Sequence, residues 1–286
     1  ATCSRAWLRP TDWPCCPTGR VRAQATRSGS FCSDRPPDAC PTVLPNLSGV
    51  HVEGRRPVPV PLIDPYARRV RDLRISITDR CNFRCAYCMP EEGMDWLARE
   101  DLLSYEEIAT VARVCVERFG FEAIRLTGGE PLVRAHMPRL VRMLAPLGVD
   151  LALTTNGVRL PELAAELADA GLTRVNVSLD TLRRDRFLGL TRRDDLDRVI
   201  AGIDAALDAG LAPVKVNAVV MRGVNDDEVV DLARFGRERG VGVRFIEFMP
   251  LDAQGEWSDD KVVPAREIIE RIDADRKSTR LNSSHT

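Results

Sequence analysis

Six short apolar runs, each bounded by glycine or polar turns, are followed in turn by amphipathic helical stretches, and this alternation constrains the fold of the 286-residue chain more than any other feature. The predicted strands cover 73–78, 123–127, 150–155, 174–179, 214–220 and 241–249, all rich in Val, Ile, Leu or Thr. Helical patterns begin near Ser104, Met137, Pro161, Asp194, Asp226 and Pro264. Ser104 with Glu107 three residues on fits a capping box, and Pro161 suits a first helical position. Six strand-then-helix units call for a parallel sheet with right-handed crossovers. An open doubly wound sheet and a β/α barrel both meet that requirement.

The placement of unusual residues separates the two. Cys81, Cys85 and Cys88 follow the first strand, Gly128-Gly129-Glu130 the second, Thr155-Asn156-Gly157 the third and Asp180 the fourth, while Met249 closes the sixth. In a barrel these points converge on one face, whereas an open sheet with a switch point scatters them. The expected fold class is therefore α/β, a partial TIM-like barrel of six β/α units.

Composition changes sharply along the chain. Residues 1–61 hold 10 of the 19 Pro and five of the nine Cys, with no strand or helix periodicity, and the first Met is Met89. Five irregularly spaced cysteines without a signal peptide fit neither a disulfide framework nor a metal site well. Residues 1–57 are accordingly expected to be non-native upstream translation or disordered. Residues 275–285 look like the in-frame translation of a sequencing adapter, so 275–286 is expected to be an artefactual tail and 58–274 the folded body. No run of about 18 uncharged apolar residues exists, which excludes a membrane-spanning helix. The balance of 41 basic against 42 acidic residues argues against a broadly basic nucleic-acid surface. The expected location is cytoplasmic.

Cys81-Asn-Phe-Arg-Cys85-Ala-Tyr-Cys88 has the spacing C-x3-C-x2-C. Three thiolates from one loop can ligate three irons of a [4Fe–4S] cubane and leave the fourth iron open. A structural zinc site is the alternative; it prefers four closed ligands, and no fourth is evident. Cys115 sits at a core-facing helical position, where a free cysteine is ordinary. Arg74, Arg125, Lys215 and Arg244 all lie on predicted strands, where alternation can turn them into a barrel lumen. Charges there need partners, and a triphosphate or the carboxylates of Glu130, Asp180 and Glu247 could supply them.

The cysteine loop, with Tyr87 just before its third Cys, resembles that of the radical S-adenosylmethionine enzymes, and Thr127-Gly-Gly-Glu-Pro131 resembles their GGE segment. Within that superfamily the chain resembles the GTP 3′,8-cyclase (MoaA) family of molybdenum-cofactor biosynthesis over roughly 62–274. The similarity is carried by Leu62-Ile-Asp-Pro-Tyr66, the block from Arg74 to Cys85, Arg125 to Pro131, Leu153 to Gly157, Asn176 to Asp180, Lys215-Val-Asn217 and Arg244 to Pro250. The resemblance implies that Cys81, Cys85 and Cys88 hold the cluster and that Tyr87, Gly129, Ser178 and Met249 line S-adenosylmethionine. It gives Arg74, Arg125, Thr154 and Lys215 contacts to GTP. On residue type alone, Ser178 and Thr154 would be local backbone partners and Met249 core filler.

The implied reaction is radical conversion of GTP to 3′,8-cyclo-7,8-dihydro-GTP, a lyase chemistry carried by cofactors rather than by an acid–base pair. A 5′-deoxyadenosyl radical removes the 3′ hydrogen of GTP, and the ribose radical attacks C8 of guanine. The family also has a second [4Fe–4S] cluster in a C-terminal extension, whose ligands this chain lacks, so impaired activity is expected. Implied partners are GTP, an external electron donor and a downstream cyclic pyranopterin monophosphate synthase; nucleic acid and membrane are not expected, and a homodimer is compatible. The rival readings are a different radical S-adenosylmethionine enzyme acting on a peptide or small molecule, and a non-catalytic metal-binding fragment.

Overall fold

The computed structural model describes residues 59–250, 255 and 257–283, with side chains described as far as Asp275. The expectations for residues 1–57 lie outside the described residues. Six strands form one sheet in the order of the sequence: β1 (Asp72–Ser76), β2 (Ala123–Thr127), β3 (Asp150–Thr155), β4 (Arg174–Ser178), β5 (Val214–Val220) and β6 (Gly242–Glu247). All five ladders are parallel. The sheet does not close, because β1 and β6 are not paired. A strictly sequential order has no switch point, so crossovers of constant hand stack the helices on one face and leave the other as a concave inner surface.

The helices are α1 (Tyr105–Phe119), α2 (Met137–Leu144), α3 (Leu160–Asp169), α4 (Arg184–Thr191), α5 (Leu196–Asp208), α6 (Val229–Arg239) and α7 (Ala265–Ser283). The expected strands and helix starts fall within a few residues of the observed ones. At α1 the capping box is complete: Ser104 accepts from Glu107 N–H and Glu107 reaches back to the Ser104 backbone. α4 is an addition, a second helix after β4. The expected boundary at 274/275 falls inside α7, where Asp275 pairs with Arg234 at 3.2 Å.

Alternation along each strand divides the residues between the two faces. Ile124, Leu126, Leu151, Leu153, Val175, Val177, Val214 and Val216 pack with Ala112, Leu140, Leu144, Leu167, Val199 and Ile203 of the helices in one continuous core. The opposite positions are mostly polar and stack in levels. Arg74, Arg125, Ala152 and Arg174 share one level. Thr154, Asn176, Lys215 and Gly242 form the next, and Ser178, Asn217 and Arg244 the third. Among the described residues no helix is long and apolar enough to cross a membrane.

Candidate cysteine-cluster and anion site

The loop from Thr78 to Met89 leaves the top of β1 and is fixed on every side by its neighbours. From β2, Gly129 N–H donates to Thr78 O and Glu130 N–H to Arg80 O, both at 2.7 Å. The two glycines are required by this approach: a Cβ on Gly128 would lie 2.4 Å from Thr78 O, and one on Gly129 2.3 Å from Asp79 O. From β3, Asn156 donates to Asn82 Oδ1 at 2.7 Å. From α4, Thr191 O accepts from Arg84 N–H and Leu190 O from Ala86 N–H, while Phe83 stands edge-on to Phe187. From the end of β4, Asp180 accepts the Tyr87 hydroxyl at 2.6 Å.

Glu130 explains why the second and third loops hold together. Its carboxylate is buried and accepts from Leu132 N–H (2.9 Å), Thr155 Oγ1 (2.7 Å) and Asn156 N–H (2.6 Å). Burial raises its pKa against the pull of those three donors. The expectation that Glu130 could neutralise a lumen base is therefore corrected, since its oxygens serve local donors. Asp180 is corrected likewise, being occupied by Tyr87 and by Val219 N–H at 2.8 Å. Glu247 accepts from Ala265 N–H at 2.7 Å.

Cys81 and Cys85 are half-buried, Cys88 is exposed, and all three are free thiols. Desolvation raises the pKa of each, and for Cys81 and Cys85 neighbouring thiolates add to the rise, so the three sulfurs share one electrostatic neighbourhood. Phe83 N–H donates to Cys81 Sγ at 3.4 Å. A soft three-thiol donor set from one loop suits a cubane, whose fourth iron stays open, better than a tetrahedral zinc site closed by four ligands. Cys115 is half-buried on α1 and takes no part.

On the inner face, Arg74 stands opposite Arg125 in register. Arg125 reaches Asp72 at 3.2 Å, but its Nε is buried without a partner. Arg74, Lys215 and Arg244 have no ion-pair partner among the described residues. Asn176 and Asn217, flanking Lys215 in the levels, each bury a side-chain oxygen that no donor meets. Thr154 Oγ1 only accepts a long 3.4 Å bond from Asn176. The structure thus gathers Arg74, Arg125, Thr154 and Lys215 on one surface, with Gly129 and Tyr87 above it. Ser178 lies on that surface too, one level above Lys215. Met249 is 50% exposed, two residues beyond β6.

Sequence reasoning passed over Asn176 and Asn217 as site residues. It also missed Arg174, whose guanidinium faces Asp150 at 2.8 Å and seals the lower end of the inner surface. The signal was present in the alternation of β4 and β5, which puts every polar residue of RVNVS on one face.

The model of the Radical SAM superfamily matches residues 75–236. The chain belongs to the radical SAM superfamily. This radical SAM chain is 54% identical over 215 residues to the GTP 3′,8-cyclase of Geobacter sulfurreducens, covering 74% of the chain and 65% of that protein. It is 52% identical over 210 residues to that of Streptomyces coelicolor, covering 73% and 62%. The chain therefore spans somewhat less than two thirds of these curated relatives. Solved structures share the fold. Native anSMEcpe with bound AdoMet superposes with a TM-score of 0.54 at 14% identity, covering 75% of this chain and 62% of that one. Streptococcus suis SuiB bound to S-adenosylmethionine gives 0.55 at 17%, covering 74% and 48%.

Proposed function

We propose that this chain carries the S-adenosylmethionine-cleaving and triphosphate-binding parts of a GTP 3′,8-cyclase of molybdenum-cofactor biosynthesis. The carrying observation is the positive charge of Arg74 and Lys215, which have no ion-pair partner among the described residues, gathered with Arg125 on the inner face beneath the cysteine loop. Two guanidiniums opposite each other in a ladder repel, and a polyanion between them would remove that cost. A peptide substrate would need no such set. The similarity to GTP 3′,8-cyclases supports the same reading.

On this reading Cys81, Cys85 and Cys88 hold a [4Fe–4S] cluster, which when bound supplies the electron that cleaves S-adenosylmethionine. The chain's own residues bind and orient. The GGE segment props the cysteine loop, and Tyr87, Gly129, Ser178 and Met249 border the S-adenosylmethionine side. Arg74, Arg125, Thr154 and Lys215 hold GTP by its phosphates and ribose, which fixes its 3′ hydrogen towards that side. An external donor supplies electrons, a second cluster belongs to the longer relatives' additional sequence, and a cyclic pyranopterin monophosphate synthase consumes the product.

Equilibrium binding of GTP, GMP and guanosine tests this. GTP should bind at least tenfold more tightly than guanosine, with an affinity that falls as salt rises. Equal binding of all three would remove the triphosphate site.

A further inference from the structure

The bond between Tyr87 and Asp180 joins residues 93 positions apart and ties the middle of the cysteine loop to the top of the sheet. Tyr87 sits between Cys85 and Cys88, so the direction of its ring sets the last turn of that loop. Its ring packs against a small apolar cluster of Leu190, Met221 and Phe248. Packing fixes how deep the ring lies, whereas only the hydroxyl bond fixes where it points.

Asp180 is well suited to hold that hydroxyl. It is 8% exposed, and both carboxylate oxygens are used, Oδ2 by Tyr87 and Oδ1 by Val219 N–H. Its backbone carbonyl accepts from Asn225 Nδ2 at 2.7 Å. Asn225 is fully buried, donates also to Val219 O at 2.8 Å and accepts from Met221 N–H at 2.7 Å. Every polar atom of this chain of contacts is satisfied, so the arrangement is rigid rather than adaptable. A carboxylate buried only to tie β4 to β5 would need one acceptor. The second oxygen is spent on the cysteine loop.

We infer that Asp180, held by Asn225, is a positioning residue that locks Tyr87 and thereby sets the geometry in which the cysteine loop presents its cluster to S-adenosylmethionine. The inference rests on the cluster assignment above. Asp180 acts through Tyr87, whose hydroxyl it accepts.

The test uses the anaerobically reconstituted full chain, with cubane content read from absorbance and iron analysis. Binding of S-adenosylmethionine is read from the change it causes in the electron paramagnetic resonance spectrum of the reduced cluster. Tyr87→Phe and Asp180→Ala should both load a cubane but require about tenfold more S-adenosylmethionine for that change. Asp180→Asn should stay within about threefold of wild type, because its amide oxygen still accepts from Val219 N–H and its NH2 can donate to the Tyr87 oxygen. In the metal-free chain the melting temperatures of Tyr87→Phe, Asp180→Ala and the double variant should be non-additive. A wild-type chain that loads no cubane would overturn the cluster assignment itself. Wild-type affinity in Tyr87→Phe, or a loss in Asp180→Asn as large as in Asp180→Ala, would overturn the positioning role alone.

Discussion

Arg74 and Arg125 face each other across the β1–β2 ladder, and among the described residues the carboxylate of Asp72 forms an ion pair with Arg125 and not with Arg74. Opposed like charges in neighbouring strands cost stability. Arg74→Ala should therefore leave the melting temperature of the ligand-free chain unchanged or slightly raised, while weakening GTP binding by tenfold or more. Differential scanning with and without GTP reads both effects. A variant that melts lower and binds GTP normally would show that Arg74 serves the fold.

Gly129 tests the propping of the cysteine loop. A methyl group there would sit 2.3 Å from Asp79 O and 2.4 Å from Arg80 O, and both are backbone atoms that cannot swing aside. Gly129→Ala should cost roughly 1–3 kcal/mol by overpacking and lower the iron retained after reconstitution. Denaturant unfolding and iron analysis measure the two. Gly189→Ala, where nothing lies within 4 Å of the added carbon, is the control for a glycine without a close backbone neighbour.

The first turn of α7 offers a pH test. Glu267 is held down to about 2, chiefly by its hydrogen bond from Arg222, with Arg271 adding to the effect. A carboxylate whose folded pKa lies below its unfolded value contributes stability above the unfolded value, near 4.5, and loses it as pH falls towards about 2. Between those limits wild-type stability should fall more steeply with acid than that of Glu267→Gln. Urea unfolding of both proteins across this window measures the difference, and parallel curves would rule out the coupling.

Much of this architecture can be read from residue pattern, for identifiable reasons. The strands announce themselves through period-two alternation, and the cysteine loop through spacing that few other chemistries require. α4 does not, because its buried residues reduce to Phe187, Leu190 and Thr191 amid exposed charges, too few to mark a helical face. Asp180 is visible as a residue following a strand, but its partner Tyr87 lies 93 residues away, and no local pattern links them. A separation of 25 and 26 residues likewise hides the use of Glu130, whose donors Thr155 and Asn156 belong to the next β/α unit. Sequence left Glu130 and Asp180 as alternative counter-charges to a phosphate, whereas folding commits both to neighbouring donors.

Lys215 separates the two halves of the proposed site. It shares a level with Thr154 and Asn176, away from the cysteine loop. Lys215→Ala should reduce GTP affinity by about tenfold, the scale of one charge-assisted hydrogen bond. Iron content and S-adenosylmethionine binding should be unaffected. Titration of the reconstituted variant with each ligand distinguishes this from a general loss of folding, which would lower all three.

The proposed reductive cleavage of S-adenosylmethionine, at a cluster that Cys81, Cys85 and Cys88 would hold, is the step on which every other proposed role depends. The decisive measurement is 5′-deoxyadenosine released by the anaerobically reconstituted chain under strong reductant, compared with Cys85→Ala and Cys115→Ala. The wild-type and Cys115→Ala proteins should form it together with methionine, and Cys85→Ala should form none. Cleavage by Cys85→Ala at the wild-type rate, or none from a wild-type chain carrying a full cubane, would contradict the assignment.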